Sequence, residues 1–150
     1  MYMLNNFEII EYCKKHNILL NDIFQEDSIK NINMNQKEFY YIINQESSQE
    51  GNGSHWVAFI KKKNKYFYYD SFAVLPVKPI INKFKGKRIG FTNFSHQPLK
   101  STHCGWYCIL FLKIMQQSNN LEDSFDKLID NFEAFNDVIN DKILRDLLKK

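Results

Sequence analysis

The chain has 150 residues, 44% of them hydrophobic and 25% charged, a length and balance that fit one domain with a sizeable core. Twenty Lys and Arg against 17 Asp and Glu leave a formal charge of +3, which permits contact with nucleic acid without arguing for it. Five Gly and three Pro exclude a collagen-like or low-complexity chain, and 13 Phe with 8 Tyr exclude a disordered composition. The longest apolar run, residues 106–112, is too short to span a bilayer. The start, Met1-Tyr2-Met3-Leu4, lacks the basic segment and apolar stretch of a signal peptide. Three cysteines (Cys13, Cys104, Cys108) make an odd number without disulfide-framework spacing. A single intracellular domain, 1–150, in a reducing compartment is expected, with room for a free reactive thiol.

Residues 5–15 place Phe7, Ile10 and Cys13 at helical spacing, with Asn5 or Asn6 as the cap. Residues 19–32 are mixed, with turn residues at Asn21-Asp22 and Asp27-Ser28. Residues 37–44, rich in Phe, Tyr and Ile, predict a strand, and polar residues 45–54, with Gly51 and Gly53, predict a loop. Residues 55–62 and 65–72 predict a hairpin around a polar tip at Lys63-Asn64. Both of its faces carry large apolar residues, so it belongs inside a covered sheet. Residues 87–94 are a further strand candidate. From Cys104 the pattern turns helical and nearly all apolar, with Trp106, Ile109, Leu110, Leu112 and Ile114. Residues 121–148 carry Phe125, Leu128, Ile129, Phe132, Phe135, Ile139, Ile143 and Leu147 at helical spacing, enough for one or two amphipathic helices. The order predicts an α+β domain in which a mixed or antiparallel sheet packs against a buried helix that begins at Cys104, with further helices at both ends.

The hairpin brings two chemically useful residues within reach. A two-residue turn at Lys63-Asn64 sets Asp70 diagonally from His55 on the same face, about 7 to 8 Å away, close enough for imidazole and carboxylate to meet. A three-residue turn would set them on opposite faces. Taken alone, Asp70 reads equally well as a strand end and His55 as a polar residue at a loop junction. Cys104 adds weight, because a thiol at a helix N-terminus meets unpaired N–H groups and the positive end of the dipole. An imidazole can activate that thiol, and a carboxylate can orient the imidazole. Gln97 lies seven residues before Cys104, where its amide could join the Cys104 N–H in binding an oxyanion. Cys13 and Cys108 read as inert core residues.

The set His55-Trp56, Tyr69-Asp70-Ser71, Gln97 and Cys104-Gly105 resembles the clan of cysteine proteases that includes adenain and the ubiquitin-like deconjugating proteases. The run Cys104-Gly105-Trp106-Tyr107-Cys108, followed by Phe111-Leu112, is similar to the nucleophile helix of adenain, as is the step from Gln97 to Cys104. The deconjugating branch has one residue fewer there and an Asp directly before the Cys, where this chain has His103. Asp70 departs from adenain, which has Glu at that place. With its Lys- and Asn-rich composition, the chain looks like the maturation protease of a virophage or Maverick/Polinton-type element such as mavirus.

The resemblance implies Cys104 as nucleophile, His55 as general base and then acid, Asp70 as the group orienting His55, and Gln97 as part of the oxyanion hole. It implies substrate contact at Trp56 and Gly105, in a narrow approach that favours small residues, often Gly, before the scissile bond. Protein substrates follow, as capsid precursors cut by a monomer in the infected host's viral factory, cytoplasm or nucleus and packaged in virions. No cofactor is required for the chemistry. DNA and an activating peptide are the candidates, although none of the three cysteines is an evident counterpart of the one through which adenain's peptide attaches. Lys61, Lys62, Lys63, Lys65, Lys83, Lys85, Lys87 and Arg88 read as a solvated surface or as a guide along DNA. A metal site from His103, Cys104 and Cys108 lacks a second ligand pair. The rival functions are deconjugation of ubiquitin-like proteins, acyl transfer by a related acetyltransferase with the same His, acid, Cys order, and a catalytically silent nucleic-acid- or protein-binding module.

Overall fold

The computed structural model describes residues 3–45, 55–73, 76, 78–92, 103–132 and 137–150. The first helix, α1 (Asn6–Lys15), starts on a capping box in which Asn5 Oδ1 accepts from Glu8 N–H and the Glu8 carboxylate accepts from Asn5 N–H. Its buried stripe is Ile9 and Cys13, while Phe7 is 72% exposed and Ile10 38%. This corrects the expected stripe of Phe7, Ile10 and Cys13. Both stripes have helical spacing and share Cys13, so periodicity cannot choose between them.

Five strands follow in spatial order: β1 (Asp22–Gln25), β2 (Phe39–Asn44), β3 (Trp56–Lys62), β4 (Lys65–Tyr69) and β5 (Ile89–Phe91). The three central strands pair antiparallel, and both edge strands pair parallel to their neighbours. Parallel pairing requires crossovers. One includes a 3-10 helix (Glu26–Asn31) and the other α2 (Lys78–Lys83). β1, the 3-10 helix and α2 are not expected from the sequence.

The strands alternate into two cores. Phe39, Tyr41, Ile43, Val57, Phe59, Tyr66 and Tyr68 join Ile29, Ile80 and Phe84 on the side of the crossovers. Tyr40, Ile42, Ala58, Ile60, Phe67 and Tyr69 face the other core, with α3 (Cys104–Gln116), α4 (Leu121–Asp130) and α5 (Asp137–Leu148). The sheet is covered on both sides, which is why its central strands read as continuous apolar runs. In α5 the inward stripe is Asn140, Leu144 and Leu148, and Ile139 is 43% exposed. The expected stripe of Ile139, Ile143 and Leu147 is therefore one residue out of phase. Phe135 lies outside the described residues.

The hairpin turns as the two-residue loop requires. Lys63 and Asn64 have φ of 53° and 61°, and Lys62 pairs with Lys65. Lys62 also reaches beyond the sheet, where its Nζ donates to the carbonyls of Met115, Gln116 and Ser118 at 3.0, 2.7 and 3.1 Å. A cation thereby caps the C-terminal end of α3. Lys62→Met is expected to lower stability by about 1–3 kcal/mol, read by denaturant unfolding, because these carbonyls lose a charged donor.

Candidate active site

His55 immediately precedes β3, and its main-chain oxygen accepts from Gln45 N–H at 2.9 Å, which extends the β2–β3 pairing to the edge of the site. Asp70 immediately follows β4. The register predicted from the two-residue turn brings them together: His55 Nε2 lies 2.7 Å from Asp70 Oδ1, with the carboxylate fully buried. The same Oδ1 accepts from Phe72 N–H at 2.8 Å, and the Phe72 ring lies tilted against the imidazole, 4.6 Å between centroids. Asp70 is held at its main chain by Thr92. The Thr92 hydroxyl donates to Asp70 O at 2.7 Å and accepts from Asp70 N–H at 3.1 Å. This exchange continues, through a side chain, the β4–β5 ladder that ends at Tyr68 and Phe91.

Sequence reasoning does not single out Thr92, and a lone Thr within a strand candidate carries no signal of its own. Replacing it with isosteric Val strands two buried main-chain groups, each costing about 1–3 kcal/mol when left unpaired. Thr92→Val is expected to lower both the melting temperature and the His55 titration midpoint seen by NMR, whereas Thr92→Ser preserves both.

Cys104 is the first residue of α3 and is 4% exposed. Its Sγ accepts from Trp56 N–H at 3.5 Å, so the strand that follows the imidazole also supplies a donor to the sulfur. Burial pulls the His55 pKa down, but the hydrogen bonds and charges of Asp70 and Cys104 outweigh it and raise the pKa to about 9. With Nε2 committed to Asp70, Nδ1 is the nitrogen left for Cys104. Among the described residues, Nδ1 has no hydrogen-bond partner. The arrangement favours a charged imidazole beside sulfur, which can deliver a nucleophile and then a proton.

Trp56 is buried, and its Nε1–H donates to Leu4 O at 3.2 Å, which fastens the N-terminal segment across the site. Gly105 is buried beneath the same segment, where a Cβ would meet Leu4 and Trp56 at 3.4 Å and Ile9 at 3.5 Å. These are ordinary contacts, so a Cβ fits, and only a side chain larger than Ala would have to displace these neighbours. Gln97 lies outside the described residues. Burial pushes the Cys13 thiol up to about 12 and the Cys108 thiol well above its ordinary value, with Cys104 and Asp70 adding to the latter.

A second His–carboxylate pair, which sequence reasoning missed, stands beside the first. His103 Nδ1 lies 2.7 Å from Asp141 Oδ2, and Tyr107 Oη donates to Asp141 Oδ1 at 2.8 Å. No cluster of three metal-ligating side chains forms among the described residues. Most of the lysines named in the sequence analysis are engaged locally. Lys61, Lys62, Lys63 and Lys83 donate to main-chain carbonyls, and Lys65 pairs with Glu122.

The architecture has solved counterparts. The ASFV pS273R protease superimposes with a TM-score of 0.60 at 17% identity, over 94% of this chain and 66% of that one. The fold is that of the pS273R protease. AvrA delL154, with IP6 and CoA, follows at a TM-score of 0.52 and 17% identity, over 83% of this chain and 53% of its own. The SUMO protease Ulp1, with its catalytic cysteine oxidised to a sulfinic acid, aligns at 0.44 and 18% identity, over 97% of this chain and 79% of its own. The chain thus spans just under two thirds of the pS273R protease and about half of AvrA. No family model matches the sequence, and no curated protein does.

Proposed function

We propose that this protein is a cysteine endopeptidase that cleaves capsid or other virion precursor proteins during particle maturation. The observation that carries this reading is the 2.7 Å pair of His55 and Asp70 set against Cys104, whose sulfur begins α3 and accepts from Trp56 N–H. The Cys104 thiolate attacks the scissile carbonyl carbon, and its electron pair forms the C–S bond while the carbonyl oxygen takes the charge. The Cys104 N–H, as the first amide of α3, together with Gln97 serves that oxyanion. Protonated His55 gives its proton to the leaving amine as the C–N bond breaks. It then takes a proton from the water that hydrolyses the thioester, and Asp70 holds the imidazole throughout.

A cavity of about 370 Å³ opens beside Trp56, bounded by Met3, Leu4, Phe24 and Asn44. We assign it to the residues that precede the scissile bond, because Trp56 both lines it and donates its N–H to Cys104 Sγ. The narrow approach selects small residues such as Gly there. The enzyme acts as a monomer within the infected cell and is packaged in the particle. Contact with DNA would use the exposed Lys85, Lys87 and Arg88 near the hairpin tip, and its hallmark is a steep loss of binding as salt rises.

The likeness to a CoA-bearing neighbour favours one second reading, acyl transfer through the same cysteine. Incubation with a panel of precursor polypeptides and, separately, with labelled acetyl-CoA distinguishes them. New N-termini after small residues are expected. An acetyl thioester on Cys104 without peptide cleavage would instead identify a transferase, and neither product would sink both readings.

A further inference from the structure

We propose that Asp141, from the C-terminal helix, is a positioning residue for Cys104. This deepens the protease reading and rests on it. Asp141 Oδ2 takes the Nδ1–H of His103, the residue before the nucleophile, at 2.7 Å. Its other oxygen takes the Tyr107 hydroxyl at 2.8 Å, one helical turn further on. His103 O also accepts from Tyr107 N–H at 3.0 Å, so His103 and Tyr107 bracket the first turn of α3, and one carboxylate spans that turn from outside. Side-chain exposure of His103 and Asp141 is 11% and 15%, so water competes weakly for these bonds.

The start of α3 needs such an anchor. Helices are ordinarily fixed at this end by a Ser, Thr, Asp or Asn cap whose side chain accepts from the N2 or N3 amide. His103 occupies the cap position and makes no side-chain cap bond. A local cap would crowd the amide end at which an oxyanion must be received. A carboxylate acting on the far side of His103 and on Tyr107 fixes the same turn without standing there. The phase of α5 fits this role. Asn140, at 0% exposure, turns inward beside Asp141, while the apolar Ile139 is left 43% exposed. Reactivity falls steeply when a reacting atom is misplaced, so loosening this turn should register at the sulfur.

The test is the rate of Cys104 alkylation by iodoacetamide against pH, with amide hydrogen exchange of α3, on wild type, His55→Ala, Asp141→Ala, Tyr107→Phe, His103→Ala and His103→Gln. Asp141→Ala is expected to slow alkylation on the order of tenfold to a hundredfold at neutral pH, because the sulfur leaves its donors. Exchange should quicken in the first turn of α3 and not at its C-terminal end. His103→Ala should behave likewise. His103→Gln, whose amide can donate toward Asp141 and which is a poor helix cap, should restore part of the rate. If Asp141→Ala does not fold, Tyr107→Phe removes one bond at nearly constant volume and should show the same effects, reduced. A fall in melting temperature with Cys104 reactivity and first-turn exchange unchanged would overturn the proposal. Should His55→Ala leave Cys104 reactivity untouched, the protease reading fails, and the hydrogen-exchange pattern still decides whether Asp141 fixes the turn.

Discussion

Iodoacetamide is expected to label folded protein at Cys104 and to spare Cys13 and Cys108, and Cys104→Ala is expected to abolish proteolysis while the fold survives. The selectivity follows from environment. Cys13 is 2% exposed and its thiol is held up to about 12 by burial, and Cys108 is 1% exposed with its thiol well above the ordinary value, so neither presents a thiolate near neutrality. Cys104 is scarcely more exposed, but it has a hydrogen-bonded imidazole and the Trp56 N–H as neighbours. Removing a nucleophile costs several orders of magnitude in turnover, roughly a millionfold where it has been isolated from its partners. The structural cost is small by comparison, about 1 kcal/mol for one lost bond to Trp56 N–H. Mass spectrometry of labelled peptides, precursor cleavage and a thermal melt check the three parts together. Precursor cleavage by Cys104→Ala, or equal labelling of all three thiols, would refute the assignment.

Asp70→Ala is expected to reduce turnover on the order of a thousandfold and to move its alkaline limit to lower pH. In the intact site burial lowers the His55 pKa, while the hydrogen bond and charge of Asp70, aided by Cys104, raise it to about 9. Acylation needs the imidazolium to protonate the departing amine, so activity falls as pH rises through about 9. Without the Asp70 carboxylate the burial penalty weighs more heavily, and the limit moves toward or below the ordinary 6.5. Linkage gives the matching sign for stability. A folded pKa raised above its unfolded value contributes stability fully present below about 6.5 and lost as pH rises through about 9. That contribution is on the order of 3 kcal/mol.

Asp70→Asn separates charge from geometry. Oδ1 makes both bonds, to His55 and Phe72, and Oδ2 has no hydrogen-bond partner among the described residues. An amide can therefore keep both acceptor bonds and lose only the charge, so Asn should retain more activity than Ala with a smaller shift of the alkaline limit. Profiles of kcat/KM against pH for the three proteins check this. An unmoved alkaline limit in both variants would remove Asp70 from the imidazole's electrostatics.

The hairpin is legible in the sequence because two residues of turn determine every pairing beyond it, and the parity that joins His55 to Asp70 follows without knowledge of the rest of the fold. The helix at Cys104 is legible because burial on nearly all sides leaves an unbroken apolar run. Other parts depend on partners distant in the chain. β1 is four residues of mixed polarity at a sheet edge, and nothing local marks them as a strand until β2 pairs with them. Periodicity misreads the phase of α1, where two apolar stripes compete, and of α5, where a polar residue faces inward. Cys13 is common to two stripes on α1, while Asn140 and Asp141 turn toward the nucleophile helix at the expense of Ile139. Hydrophobic periodicity scores Asn140 and Asp141 as outward-facing, so it misorients the helix that reaches the nucleophile turn through a carboxylate.

The 38 residues that separate His103 from Asp141 give the site an order of assembly. On a chain made from its N-terminus, the sulfur and its imidazole exist before the carboxylate that spans the first turn of α3. A growing chain therefore carries its nucleophile on an unanchored turn until α5 has been synthesised and has docked. Under the proposed protease function, the interval would keep the reactive group poorly aimed while nascent protein, its own included, is the nearest substrate.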